Sequence, residues 1–119
     1  QGVDVIYDPV GGDMLFQSMR CIAWGGRLLV IGFASGTIPD VPANYALLKS
    51  CSLIGVRAGE YARRDPAASA RMITAMLKLA AEGKLRPTVH QTMPLTEAVA
   101  ALEVISSRGV IGKMILEVA

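Results

Sequence analysis

The chain is poor in most of the features that mark a specialised surface. Six aromatic residues in 119, and 12 Lys+Arg against 10 Asp+Glu for a net charge of +2, leave no basic, aromatic-studded face of the kind that grips nucleic acid. There are two cysteines, Cys21 and Cys51, and a single histidine, His90, with no CxxC pair. Neither a zinc knuckle nor a disulfide framework can be assembled from them, and a reducing, cytoplasmic setting is the expectation. The longest apolar run, residues 28–34 even counting its glycine, falls far short of the roughly 18 residues that suggest a membrane span. No charged-then-apolar leader opens the chain. No GxGxxG and no GxxxxGK[ST] occurs, so the chain by itself lacks the phosphate-cradling fingerprint of a dinucleotide or nucleoside-triphosphate site.

What is present is apolar. Hydrophobic residues make up 52% of the chain and charged residues 18%, which predicts one packed core and some apolar surface left for a partner. The chain has no initiator Met and runs from Gln1-Gly2 straight into a strand, as a piece of a longer protein would.

Residues 3–7 form a β-branched and aromatic run stopped by Asp8-Pro9, hence a strand and a turn. From Asp13, a candidate N-cap, Leu15, Met19 and Ile22 recur at helical spacing as far as Gly25-Gly26, which read as the stop. Residues 27–31 are continuously apolar after Arg27 and suit a parallel strand covered on both faces. Residues 32–42 are irregular, 44–49 a short helix and 52–56 a third parallel strand. Asp65-Pro66 starts a helix that ends at Gly83. Residues 87–93 read as an edge strand, Thr96 as the cap of a helix carrying Ala98, Leu102 and Ile105, and 113–118 as a last strand.

Three glycine-bearing turns leave the C-terminal ends of the three parallel strands: Val10-Gly11-Gly12, Gly32-Phe33-Ala34-Ser35-Gly36, and Gly55 to Gly59. Each alone reads as a tight turn, and Asp13 argues against a phosphate on the first helix end. Together they converge on the edge where open α/β sheets bind ligands. His90 reads as a structural or surface histidine. Cys21 and Cys51 read as buried, inert thiols, Met14, Met19, Met72, Met76 and Met114 as core residues, and Arg63-Arg64 as a solvated pair set unfavourably before a helix start.

Four segments in order, residues 2–12, 25–36, 53–56 and 112–116, resemble the C-terminal part of the zinc-independent quinone oxidoreductases of the medium-chain dehydrogenase/reductase superfamily. The resemblance runs over essentially the whole chain. It implies an α/β fold: the C-terminal half of a Rossmann-like parallel sheet with flanking helices over residues 1–86, and over 87–119 tail strands returning to a GroES-like catalytic domain. It implies hydride transfer from NADPH, with NADH open, to a quinone or enone-type acceptor, in a homodimer joined through an edge strand. The cofactor-facing residues would be Val10, Gly11, Gly12, Ile31, Gly32, Phe33, Val56, Arg57 and Ala58, with Lys113 reaching a phosphate. No catalytic residue and no metal ligand is expected in this stretch, and the chain alone would be inactive. Two other readings stay open: a non-catalytic α/β binding or dimerisation module, and a piece of a zinc alcohol dehydrogenase or an enoyl reductase.

Overall fold

The computed structural model describes residues Gly2–Val118 and divides into two compact units, one up to Pro66 and one from Ala67. The first holds β1 (Val3–Asp8), α1 (Asp13–Cys21), β2 (Ile22–Val30), α2 (Ala43–Lys49), β3 (Ser52–Gly55) and α3 (Ala58–Arg64). Its three strands are parallel in the order β1-β2-β3, so each joins its sequence neighbour through a crossover. Ile6, Leu28 and Leu53 stand in one cross-strand row, facing Leu15 and Met19 of α1. Leu15, Met19, Ile22 and Leu28 form the buried core, with Val30, Val41 and Tyr45 packed around it. At about 1.5–3 kcal/mol for each large apolar side chain removed from water, this small cluster is the main hydrophobic anchor of the unit. Phe16 and Tyr45 meet at 6.1 Å with rings tilted by 57°, which ties α1 to α2.

The sheet departs from the expectation of cover on both faces. On the side opposite the core, Val5, Tyr7 and Ile54 remain exposed, Tyr7 at 66%. Both helices that pack on this sheet within the unit lie against the Leu28 row, because that row carries the apolar residues matching α1.

Ile22 is not helical. It begins β2, and Gly25-Gly26 lie inside that strand instead of ending α1. Between the pairs Val3↔Ile22 and Val5↔Arg27, β1 advances two residues while β2 advances five, a bulge that the positive φ of Gly25 (71°) permits. Asp13 is the first helical residue rather than the cap. Gly12, at φ 54°, turns the chain there and no side chain caps the helix.

The second unit holds α4 (Pro66–Ala81, whose first residue closes the first unit), β4 (Val89–Pro94), a 3₁₀ turn (Leu95–Glu97), α5 (Ala98–Ser106) and β5 (Lys113–Glu117). α4 starts at the proline and is followed by Gly83 at φ 68°, whose N–H donates to Ala80 O. β4 and β5 pair in parallel, with α5 between them in sequence and Met93 and Ala101 as the buried residues. Thr96 lies within the 3₁₀ turn and caps nothing; the residue before α5 is Glu97, also without a side-chain cap bond. The Ile111 N–H donates to Nδ1 of His90 at 3.4 Å, a structural role for that ring. No helix among the described residues is long and apolar enough to cross a membrane.

The burial expected of the sulfur residues holds only in part. Met19 is buried and Met114 half-buried, whereas Met14, Met72 and Met76 are about half exposed. Cys21 is exposed and Cys51 half-buried. Cys21 ends α1 and turns its thiol back to the carbonyls of Gln17 (3.3 Å) and Ser18 (3.4 Å), as a side chain in the last turn of a helix can.

Candidate functional site

The first two strand exits of the first unit are bonded to each other, and the third is tied to the end of β2. As β1 ends, Asp8 folds its carboxylate over the turn, and Oδ1 accepts the N–H groups of Val10 (2.8 Å) and Gly11 (3.0 Å). The residue is only 4% exposed, and among the described residues no donor reaches Oδ2. The second exit runs alongside the first. Ile31 N–H donates to Asp8 O (2.9 Å), Ala34 N–H to Pro9 O (3.0 Å), Ser35 N–H to Val10 O (3.0 Å), and Gly12 N–H to Thr37 O (3.1 Å). At the third, Val56 N–H continues the ladder to Val30 O at 2.9 Å.

Glycine is required where the first two exits touch. Gly11 and Gly12 have φ values of 68° and 54°. A Cβ on Gly11 would sit 2.6 Å from Phe33 Cδ1, and one on Gly12 would sit 3.0 Å from Ser35 Oγ. A cavity of about 250 Å³ opens beside them, lined by Val10, Gly11, Gly12, Asp13, Met14, Ser35 and Thr37. Small-molecule pockets begin at roughly 300 Å³, so this space suits part of a dinucleotide and not the whole. The N-terminus of α1 lies at the same place, with no side-chain cap and with Leu15 N–H turned onto Gly12 O at 3.2 Å, and the Asp13 carboxylate disfavours a phosphate there.

Of the residues expected to face a cofactor, the structure brings Val10, Gly11, Gly12, Ile31, Gly32 and Phe33 together in the two bonded loops. Val56, Arg57 and Ala58 follow β3 at the same sheet end, where Arg57 precedes α3 and its carbonyl receives Tyr61 N–H at 2.9 Å. Lys113 belongs to the second unit and starts β5. Sequence reasoning overlooked Ser35 and Thr37 as cavity walls, and Asp8 as the residue that organises the turn. The signal for Asp8 was an acid closing a strand three residues before a glycine pair, an Asx-turn pattern.

α3 itself is unexpected, and it reverses the reading of Arg63-Arg64. Both close a helix, where the dipole favours cations, and both bind Glu60, Arg64 Nε at 2.9 Å from Oε1. The hydrogen bonds of Arg63 and then Arg64 hold the Glu60 carboxyl below the usual glutamate range. Among the described residues no group of three His, Cys, Asp or Glu side chains is placed to hold a metal ion.

Comparison with known proteins agrees with this geometry. The chain is 36% identical over 116 residues to the quinone oxidoreductase-like protein 2 homolog of Nematostella vectensis, covering 97% of this chain and 32% of that protein. It is 36% identical to quinone oxidoreductase-like protein 2 of Bos taurus over 97% of this chain and 33% of that protein. The crystal structure of a quinone oxidoreductase from Pseudomonas syringae pv. Tomato DC3000 superimposes with a TM-score of 0.82 at 26% identity, over 97% of this chain and 35% of that one. The chain therefore spans about a third of the length of the relatives it matches. With the zinc-binding dehydrogenase family profile matched across residues 1–116, the chain belongs to that oxidoreductase family, as a C-terminal part of the medium-chain dehydrogenase/reductase fold.

Proposed function

We propose that this chain is the C-terminal part of an oxidoreductase that moves hydride from NADPH to a quinone or a similar electrophilic acceptor. One observation carries the reading: two glycine loops, bonded backbone to backbone, border a cavity at the carboxyl end of three parallel strands, where open α/β sheets take their ligands. Residues 1–86 supply part of the nucleotide site and 87–119 the return toward the rest of the protein. Val10, Gly11, Gly12, Ile31, Gly32, Phe33, Val56, Arg57 and Ala58 face the dinucleotide, largely through backbone. The nicotinamide supplies the hydride when bound. The residues of this chain position and exclude water, and none supplies a proton. Asp13 suits a hydroxyl-bearing sugar against the cavity better than a phosphate.

The test is calorimetric titration of NADPH, and in parallel NADH, into the 119-residue chain. Saturable micromolar binding that disappears in Gly32→Val is expected. A Cβ at Gly32 meets only Pro9 O at 3.5 Å, an ordinary contact, so the backbone there accepts a side chain, and an amide spectrum of the variant checks that the fold is kept. Absence of binding to the wild-type chain, or equal binding by the variant, refutes the half-site reading. Quinone reduction by the isolated chain at the rate of a full-length relative would refute its dependence on a longer protein.

The exposed Val5, Tyr7 and Ile54 face favours a second reading, a dimerising module without redox activity. Nucleotide titration separates the two: a chain that is dimeric by light scattering and binds neither nucleotide supports the module. A homodimer is expected under both readings.

A further inference from the structure

The turn after β1 contains two peptide units that are each bonded at both ends. The Pro9–Val10 unit gives its N–H to Asp8 Oδ1 at 2.8 Å and receives Ala34 N–H on its carbonyl at 3.0 Å. The Val10–Gly11 unit gives its N–H to the same oxygen at 3.0 Å and receives Ser35 N–H at 3.0 Å. One carboxylate oxygen thus sits at the head of two parallel chains of aligned dipoles, and the second loop hangs from their other ends. A negative charge at the head draws each N–H toward it and makes the carbonyl behind it a better acceptor, so the bonds strengthen one another.

We infer that Asp8 is a positioning residue of the dinucleotide site, acting without touching the ligand: it sets the second loop, and with it Gly32 and Phe33, through the two peptide units it orients. This inference rests on the nucleotide-site reading above. All the organising bonds fall on Oδ1, and among the described residues Oδ2 has no donor, so a carboxamide can take over the geometry but not the charge.

Backbone amide spectra and hydrogen exchange of Asp8→Asn and Asp8→Ala test it in the 119-residue chain. In Asp8→Asn the fold is retained and the amide protons of Val10, Gly11, Ala34 and Ser35 all move upfield, the last two only because polarisation passes through the peptide units. In Asp8→Ala, Ala34 and Ser35 exchange about tenfold faster while the Leu28 amide keeps its protection, the loss of a hydrogen bond to a charged group being confined to the loops. NADPH affinity falls about tenfold in Asp8→Ala and is largely restored in Asp8→Asn. The inference is overturned if Asp8→Asn shifts only Val10 and Gly11, or if Ala34 and Ser35 in Asp8→Ala are unchanged or lose protection together with Leu28. Should the wild-type chain bind no NADPH, the nucleotide-site reading fails, and the spectra and exchange still decide whether Asp8 sets the second loop.

Discussion

Gly112, the residue before β5, is the most constrained glycine in the chain. At φ 98° it lies beyond the conformation that L side chains adopt in ordinary left-handed turns, and a Cβ built on it would stand 2.2 Å from Thr88 O and 2.9 Å from Thr88 C. The obstacle is backbone, so no side chain can swing aside. That carbonyl also accepts Lys113 N–H at 2.9 Å, the bond that brings the start of β5 to the segment before β4. Gly112→Ala therefore combines a backbone conformational cost of about 1–2 kcal/mol, an overpacking cost of about 1–3 kcal/mol and a lost hydrogen bond of about 1 kcal/mol. A destabilisation of roughly 3–6 kcal/mol follows, a large share of the 5–15 kcal/mol that typically holds a domain. Amide hydrogen exchange is the assay. Met114, Ile115 and Leu116 should lose protection more than a hundredfold, while β1 and β2 keep theirs. Gly59→Ala is the matched control. It lies within α3 with nothing within 4 Å of its Cβ position, and should stabilise that helix by about 0.5–1 kcal/mol. Protection of residues 114–116 within threefold of wild type in Gly112→Ala would refute the argument that Thr88 fixes this crossing.

Leu28→Ala removes the only side chain at 0% exposure from the core row and should cost about 2–5 kcal/mol, read as a lower urea midpoint at unchanged slope. Gly11→Ala forces a Cβ toward the half-exposed Phe33 ring, which can move; the cost is mainly conformational, about 1–2 kcal/mol, and NADPH binding should suffer more than stability. Because Glu60 titrates below the usual glutamate range in the folded chain, its contribution to α3 is present above that range. It fades as pH falls through the lowered folded value. A carboxyl-carbon NMR titration should return Glu60 to the ordinary range in Arg63→Ala/Arg64→Ala, and 1 M salt should weaken the wild-type shift. An unchanged titration in the double variant would remove the two arginines as its cause.

The three parallel strands of the first unit were legible because each is a short apolar run closed by glycine or proline, and the start of α4 because Asp65-Pro66 is specific. The end of α1 was not. Ile22 continues the spacing of Leu15 and Met19, and a residue buried from a strand satisfies that spacing as well as one buried from a helix; only the bulge at Gly25 separates the cases. α3 escaped because its seven residues carry no apolar stripe and are held by Glu60 and two arginines, a pattern that also describes a solvated loop. The candidate site was legible as three glycine exits. The bonding that joins two of them was invisible, since Asp8 acts on backbone N–H groups and the loops meet through carbonyls that every sequence possesses.

That last property bears on how such a site can vary. Bonds from Ala34, Ser35 and Gly12 amides to Pro9, Val10 and Thr37 carbonyls count residues rather than recognise them. Apart from Gly11 and Gly12, whose positive φ requires glycine, side chains along both loops can therefore be exchanged with little effect on shape, whereas a single insertion between Asp8 and Gly12, or between Ile31 and Thr37, shifts every donor past its acceptor. Spare length can be taken up only after Thr37, where the irregular run leading to α2 begins. An insertion scan across residues 9–42 should show two intolerant stretches followed by a permissive one, with loop length fixed and, outside the glycine pair, loop chemistry free.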